Sequence, residues 1–111
     1  MDPGNCDISE FIGYTGKGCV LELYVVPHSS SDHFVVSDGE LVFYSSSSCK
    51  GHGVNYGLIR WFKRSIGVEP VIVRGWSSRS KILLFPGLRR EELAVKLRGL
   101  ITCRDGGVSG G

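Results

Sequence analysis

Residues Val71–Phe85 read VIVRGWSSRSKILLF, and this stretch decides the fold. Two apolar, largely β-branched or leucine-rich runs flank a short polar connection, which is the pattern of a β-hairpin. Gly75 opens the connection, and a glycine there supplies the positive φ or the bulge that a tight hairpin requires. The stretch therefore predicts two strands, Val71–Arg74 and Ser80–Phe85, and it marks the first place to look for a ligand.

The rest of the chain predicts three further strands and two helices. The period of the apolar residues is two before residue 53, and from there it changes to the 3.6 of a helix. The expected elements are a strand at Cys19–Val26, a hairpin turning at Asp38-Gly39, an amphipathic helix from Gly53 to Gly67 and a final helix at Arg89–Ile101. This order lacks the regular alternation of a parallel βαβ fold, so we predict an α+β protein with two helices on one face of a sheet.

Length and composition fit one domain. A chain of 111 residues with 41% hydrophobic residues can bury a single core without disulfides. We expect a loose N-terminal extension at residues 1–13, one α+β domain at 14–103 and a flexible tail at 104–111. No apolar run approaches the roughly 20 residues of a membrane span, and the acidic start is unlike a secretion signal. The four scattered cysteines favour reduced thiols, so we expect a cytoplasmic protein that does not enter a membrane.

Charge is distributed unevenly along the chain. Residues 1–49 carry a net charge of −6 and residues 50–111 carry +8, which together give the total of +2. Because both halves share one small domain, the pattern predicts an acidic side and a basic side. The alternative is that the two halves neutralise each other across an interface.

The sequence gives little support for catalysis or metal binding. Cys49 and His52 form a C-x-x-H pair, but a structural zinc site needs four ligands and no second close pair exists. No serine lies in a recognisable nucleophile motif, and histidines in or beside loops are usually solvated. We therefore expect no metal, no cofactor and no catalytic residues. The sequence leaves enzyme activity open and favours its absence.

The hairpin carries most of the candidate binding residues. Arg79 and Lys81 are two apart on a strand and so share a face, where two cations could hold a phosphate or a carboxylate. The alternative is a solvated outer face. Arg74 joins them or faces away, Trp76 offers a stacking surface or folds onto the core, and Ser78 binds an anion or caps the turn.

A second group of candidates lies at the start of the first helix. Asn55 lies within the apolar arc of that helix, so its buried amide must find partners, and the expected ones are backbone groups of a neighbouring loop, for which the Gly75 turn is one candidate. The alternative is an anion site, because the entry Gly51-His52-Gly53 leads into a helix N-terminus whose free N–H groups attract anions, with Lys50 beside it.

Several strings of the sequence together carry a family resemblance. They are Pro27 with Ser29, Asp38-Gly39-x-Leu41, Lys50-Gly51 before Asn55, Gly67-Val68, and Gly75-x-x-Ser78-Arg79-x-Lys81. Through them the chain resembles, over about residues 17–100, the YggU-like family, small single-domain proteins of unknown function. The resemblance implies a two-layer α/β sandwich whose core sheet has four strands, largely antiparallel or mixed. One departure is Gly53, where the family has lysine, and whether Lys50 replaces that lysine is open.

Two functions remain after these exclusions. The first is a monomeric, non-catalytic module that binds RNA, or another phosphate-bearing or acidic partner such as an acidic protein, through the basic hairpin. The second is a small-molecule enzyme or cofactor-binding protein with a pocket between Gly51–Asn55 and Gly75–Lys81. A rival to the hairpin as a binding site is the basic helix face formed by Arg60, Lys63 and Arg64.

Overall fold

The computed structural model of the chain describes residues 8–47 and 53–104. In this part the fold is α+β, with two helices and a mixed sheet of seven strands. The elements are β1 (Ile12–Thr15), β2 (Gly18–Val26), β3 (His33–Ser37), β4 (Glu40–Tyr44), α1 (Gly53–Ile66), β5 (Val71–Arg74), β6 (Ser80–Pro86), α2 (Arg90–Leu97) and β7 (Ile101–Arg104).

The strand order is β5-β6-β2-β4-β3-β7, with β1 paired to β2. The pairs β2–β4 and β3–β7 are parallel and the others are antiparallel. The sheet therefore has three strands more than the expected four-stranded core, and β1 and β7 are the two strands that the sequence did not predict. Both predicted hairpins are confirmed, and Asp38 and Gly39 have φ angles of +52° and +78° at the turn between β3 and β4.

Residues 8–13 are not the loose extension that the sequence suggested. Ile8 is buried, Ser9–Phe11 form a 3-10 turn, and Ile12 begins β1 opposite Leu21. The guanidinium of Arg90 donates a hydrogen bond to the carbonyl oxygen of Ser9 at 2.9 Å, which ties this segment to α2. Burial of two isoleucines stabilises the segment, and at about 1.5–3 kcal/mol for each fully buried side chain it offsets part of the entropy of ordering it.

The second helix is shorter than predicted. It ends at Leu97, Gly99 takes a φ of +84°, and Ile101 begins β7 beside β3. A glycine with positive φ just after a helix is a common C-terminal stop. Leu100 is consequently exposed rather than on the buried face of the helix.

One core joins the helices to the sheet. Alternate residues of the strands and the apolar faces of α1 and α2 belong to the same buried cluster. The ring of Phe62 lies 5.0 Å from that of Phe85 on β6, and the ring of Trp61 lies 4.8 Å from that of Phe34 on β3. Helix α1 therefore crosses the sheet, and this crossing brings its first turn next to the β5–β6 connection.

Candidate nucleic-acid interface

The connection between β5 and β6 is a tight, hydrogen-bonded turn. Gly75 has a φ of +82°, and a Cβ atom built there would overlap the carbonyl oxygen of Ser80. The amide of Ser78 donates to the carbonyl oxygen of Gly75 at 3.0 Å, and the Ser78 hydroxyl accepts from the amide of Ser80 at 3.1 Å. Ser78 thus caps the turn, which is one of the two roles predicted for it.

Lys81 lies inside the protein rather than on a solvated face. Its side chain is only 4% exposed, and it shares the core side of β6 with Leu83 and Phe85. The ammonium donates to the carbonyl oxygen of Gly75 at 2.9 Å and to that of Trp76 at 3.3 Å. Lys81 therefore stabilises the turn from the core side of the sheet. Its charge alone did not predict this structural role.

Asn55 reaches the same turn from α1. Its side-chain amide donates to the carbonyl oxygen of Trp76 at 2.8 Å, and the residue is 2% exposed. The prediction that Asn55 hydrogen-bonds the backbone of the Gly75 turn is confirmed. Among the residues that the structure describes, its buried Oδ1 atom has no hydrogen-bond partner, which is uncommon for a buried carbonyl oxygen.

Two buried polar side chains from different elements thus meet at one atom, the carbonyl oxygen of Trp76. The ring of Trp76 remains outside, with 41% of the residue exposed. Its ring lies edge-on to that of Tyr56, at 6.1 Å between centroids, and Tyr56 is 56% exposed. The result is a pair of surface aromatics, Tyr56 and Trp76, on a fixed backbone; we call it the aromatic pair.

Burial disfavours the charged form of Lys81. Among the described residues no carboxylate lies within ion-pair distance of its ammonium, and desolvation lowers the pKa of Lys81 from its ordinary value of 10.5. Two ion pairs of the described part, Lys63–Glu69 at 3.8 Å and Arg89–Glu92 at 3.7 Å, both join exposed groups of the basic half. These exposed pairs are worth little to stability.

The lowered pKa of Lys81 gives a pH prediction. Below the folded-state pKa the buried ammonium costs folding free energy, and the cost disappears as pH rises towards 10.5, where the unfolded lysine also loses its proton. The free energy of unfolding of the wild type should therefore rise relative to that of Lys81→Met between neutral pH and pH 10. Urea unfolding of both proteins across this range measures the difference; a difference that stays constant would mean a solvated ammonium.

The other predicted cations of the hairpin are exposed, whereas Lys81 is buried. Arg79 is exposed, and its carbonyl oxygen accepts from the amide of Val25 at 2.8 Å, which continues the pairing of β6 with β2. Arg74 pairs with Ile82, which lies on the opposite side of β6 from Lys81, and residues directly paired in antiparallel strands share a side. Arg74 is therefore on the other face of the sheet. Lys50 lies outside the described residues.

The pocket of the alternative function was expected between Gly51–Asn55 and Gly75–Lys81. The Asn55–Trp76 hydrogen bond joins these two segments. Gly51 and His52 lie outside the described part, and so does the Cys49–His52 pair. In residues 8–47 and 53–104 no group of three or more His, Cys, Asp or Glu side chains could hold a metal ion.

One residue of this surface was not predicted from the sequence. Tyr56 follows Asn55 directly and lies on the polar side of α1, one turn before Arg60. An aromatic residue on the polar side of an amphipathic helix is expected to be exposed, and this pattern could have identified Tyr56 as a surface residue of the site.

The comparisons with known proteins add one finding: no family model matches the chain. Neither described helix is both long and apolar enough to cross a membrane.

Proposed function

We propose that this protein is a non-catalytic module that binds single-stranded RNA through the aromatic pair and the cations beside it. The observation that carries the proposal is the convergence of Asn55 and Lys81 on the carbonyl oxygen of Trp76. Burying an ammonium without a carboxylate partner is unfavourable. Here the buried ammonium of Lys81 fixes the backbone of Trp76, whose ring lies at the surface.

The exposed rings suit unpaired bases. Single-stranded RNA presents unstacked bases, and aromatic side chains bind them by stacking at about 1–3 kcal/mol per base. Tyr56 and Trp76 differ in ring orientation by 83°, so they offer two faces in different directions rather than one flat platform. The pair fits two splayed bases better than a stacked duplex.

Cations lie on both sides of the aromatic pair. Arg79 follows Trp76 by three residues on the turn, and Arg60 follows Tyr56 by one turn of α1. Both are exposed, as phosphate contacts must be, and charges so arranged attract a polyanion from a distance. The hairpin remains part of the proposed interface, with Arg79 as its phosphate contact and Lys81 as the residue that holds the turn.

The family and setting belong to the same proposal. Membership of the YggU-like family is supported by the way Gly75, Ser78 and Lys81 of its motif form one hydrogen-bonded unit, to which Asn55 is joined. We include in the proposal the two-layer arrangement of that family, with both helices on one face of the sheet. The proposal also includes that the protein is monomeric and located in the cytoplasm.

Trp76→Ala tests the proposal. Loss of one stacking partner should weaken binding of a single-stranded RNA about tenfold, with little change in stability because the ring is largely outside the core. Fluorescence anisotropy with a labelled oligonucleotide measures the affinity. Tyr14→Ala is the matched control. Tyr14 is 66% exposed on β1 and pairs with Cys19, at the end of β2 that is remote from the turn.

The salt dependence of the same titration provides a second check. Wild-type affinity should fall linearly with salt on a logarithmic plot, as it does when phosphate contacts release counterions. Equal affinities of the Trp76→Ala variant and the wild type, or no binding to any single-stranded RNA, would refute the RNA function and leave the small-molecule pocket as the better reading.

A further inference from the structure

A groove runs beside α1, starting within one helical turn of Tyr56 of the aromatic pair. It has a volume of about 280 Å³ and lies between the exposed side of α1 and the loop that joins β2 to β3. The residues that line it are Asp32, Gly57, Arg60, Trp61, Arg64 and Ser65. We call it the α1 groove.

Two guanidinium groups form one wall of the α1 groove. Arg60 and Arg64 are four residues apart, so their side chains emerge about 6 Å from each other on one side of the helix. Within the described part of the chain neither makes an ion pair or a hydrogen bond. Lys63, between them in sequence, lies 3.8 Å from Glu69 and does not line the groove. Two adjacent guanidiniums can together bind the oxygens of one phosphate.

A fixed carboxylate forms the opposite wall. The Oδ1 atom of Asp32 accepts hydrogen bonds from the amide and the hydroxyl of Ser46, at 2.6 Å and 2.9 Å. Within residues 8–47 and 53–104 its Oδ2 atom has no hydrogen-bond partner, so it can accept a hydrogen bond from a ligand. A negative charge in this position disfavours a bare anion, so a ligand that fits must carry a hydrogen-bond donor close to its phosphate.

Trp61 closes the groove between these walls. Its ring packs edge-on against Phe34 and Phe43, at centroid distances of 4.8 Å and 6.4 Å, so the indole is held by the core. The part of the residue that remains accessible gives the groove an apolar surface. Such a surface suits the carbon face of a sugar.

RNA has the required combination of groups within one nucleotide. The ribose 2′-hydroxyl is on the carbon next to the one that carries the 3′-phosphate, whereas the N–H groups of the bases lie farther away. The 2′-hydroxyl is also the group by which a protein distinguishes RNA from DNA. We propose that Arg60 and Arg64 bind a phosphate of single-stranded RNA and that Asp32 accepts the hydrogen bond of the adjacent 2′-hydroxyl. This inference rests on the proposed RNA function and adds the sugar specificity to it.

The test compares three oligonucleotides of one sequence, as RNA, as DNA and as 2′-fluoro RNA, by anisotropy at fixed salt. The fluoro compound retains the sugar pucker of RNA but cannot donate a hydrogen bond from the 2′ position. The wild type should prefer RNA to both others by about tenfold, the effect of one hydrogen bond to a charged group. Asp32→Asn, which keeps an oxygen for Ser46, should reduce this preference, chiefly by raising the affinity for DNA.

The phosphate contacts are tested with the double variant Arg60→Ala/Arg64→Ala. It should lose about tenfold in affinity for RNA and for DNA alike and show a salt slope shallower by roughly 1.4, the value for two contacts on a single strand. Lys63→Ala on the same helix is the control and should change neither. Both arginines are exposed, so stability should be retained, and thermal unfolding verifies this.

The outcomes separate this inference from the function on which it rests. Binding that depends on Trp76 but is unchanged in Arg60→Ala/Arg64→Ala and Asp32→Asn would overturn the inference, together with the phosphate contact of Arg60, and leave RNA binding by the aromatic pair and Arg79 standing. Equal wild-type affinities for RNA and 2′-fluoro RNA would overturn the role of Asp32 even if the arginines matter. Failure to bind any single-stranded nucleic acid would overturn both.

Discussion

Gly75→Ala is expected to destabilise the protein by about 3 kcal/mol or more. Two costs combine at this position. An alanine at a φ of +82° is in the left-handed region, and its Cβ would overlap the carbonyl oxygen of Ser80, a backbone atom of the partner strand. Relief of that overlap requires the β5–β6 turn to open, which also breaks the bond between Lys81 and the Gly75 carbonyl. Urea unfolding measures the loss.

Gly39→Ala is the matched control for this prediction. Gly39 has a nearly equal φ of +78° in a hairpin turn, but a Cβ there would meet nothing within 4 Å. Only the conformational cost applies, so we expect a loss of about 1–2 kcal/mol. Equal losses in the two variants would show that the close approach of Gly75 to β6 does not exist.

Lys81→Glu is expected to destabilise the protein by about 3 kcal/mol. This is the cost of burying a carboxylate at a position where no group stabilises its charge. The new carboxylate would face the carbonyl oxygens of Gly75 and Trp76, which can donate no hydrogen bond to it. The charge and the acceptors repel each other, and burial adds the cost of desolvation. Because the carboxyl can escape by taking up a proton, the loss should shrink at low pH.

Lys81→Met separates this effect from a simple loss of the lysine. Methionine fills similar space without a charge, and each carbonyl retains another donor, Ser78 N–H for Gly75 and the Asn55 amide for Trp76. Replacement of a buried charge by an apolar side chain is often neutral or stabilising, so we expect a change within about 1 kcal/mol. If Lys81→Glu and Lys81→Met were equally stable, Lys81 would be a solvated surface residue.

The sequence was sufficient for the parts of the fold that depend on local patterns. The positive φ values of Gly39, Gly67 and Gly75 follow from turn chemistry, and the helical period correctly placed Asn55 among buried residues. Its bond to the turn was predictable because a buried amide must be satisfied and the hairpin was the nearest expected loop.

The errors arose where packing overrides local preference. Lys81 follows the same alternation as Leu83 and Phe85, which predicts a position on the core side of β6, but lysine is almost never fully buried, so its charge predicts an exposed position instead. Strand β1 is short and glycine-containing, and it exists because Ile8 and Ile12 pack into the core. Strand β7 depends on pairing with distant β3, which no local pattern reveals.

The most direct test of the central claim is an NMR titration with single-stranded RNA that follows the two tryptophan indole N–H signals. Trp76→Phe assigns them, since only Trp61 then remains. The account predicts that the Trp76 signal shifts progressively with RNA and that the shift is lost at high salt. A Trp76 signal that stays in place at saturating RNA would contradict the claim that Asn55 and Lys81 hold this tryptophan at the surface to bind RNA.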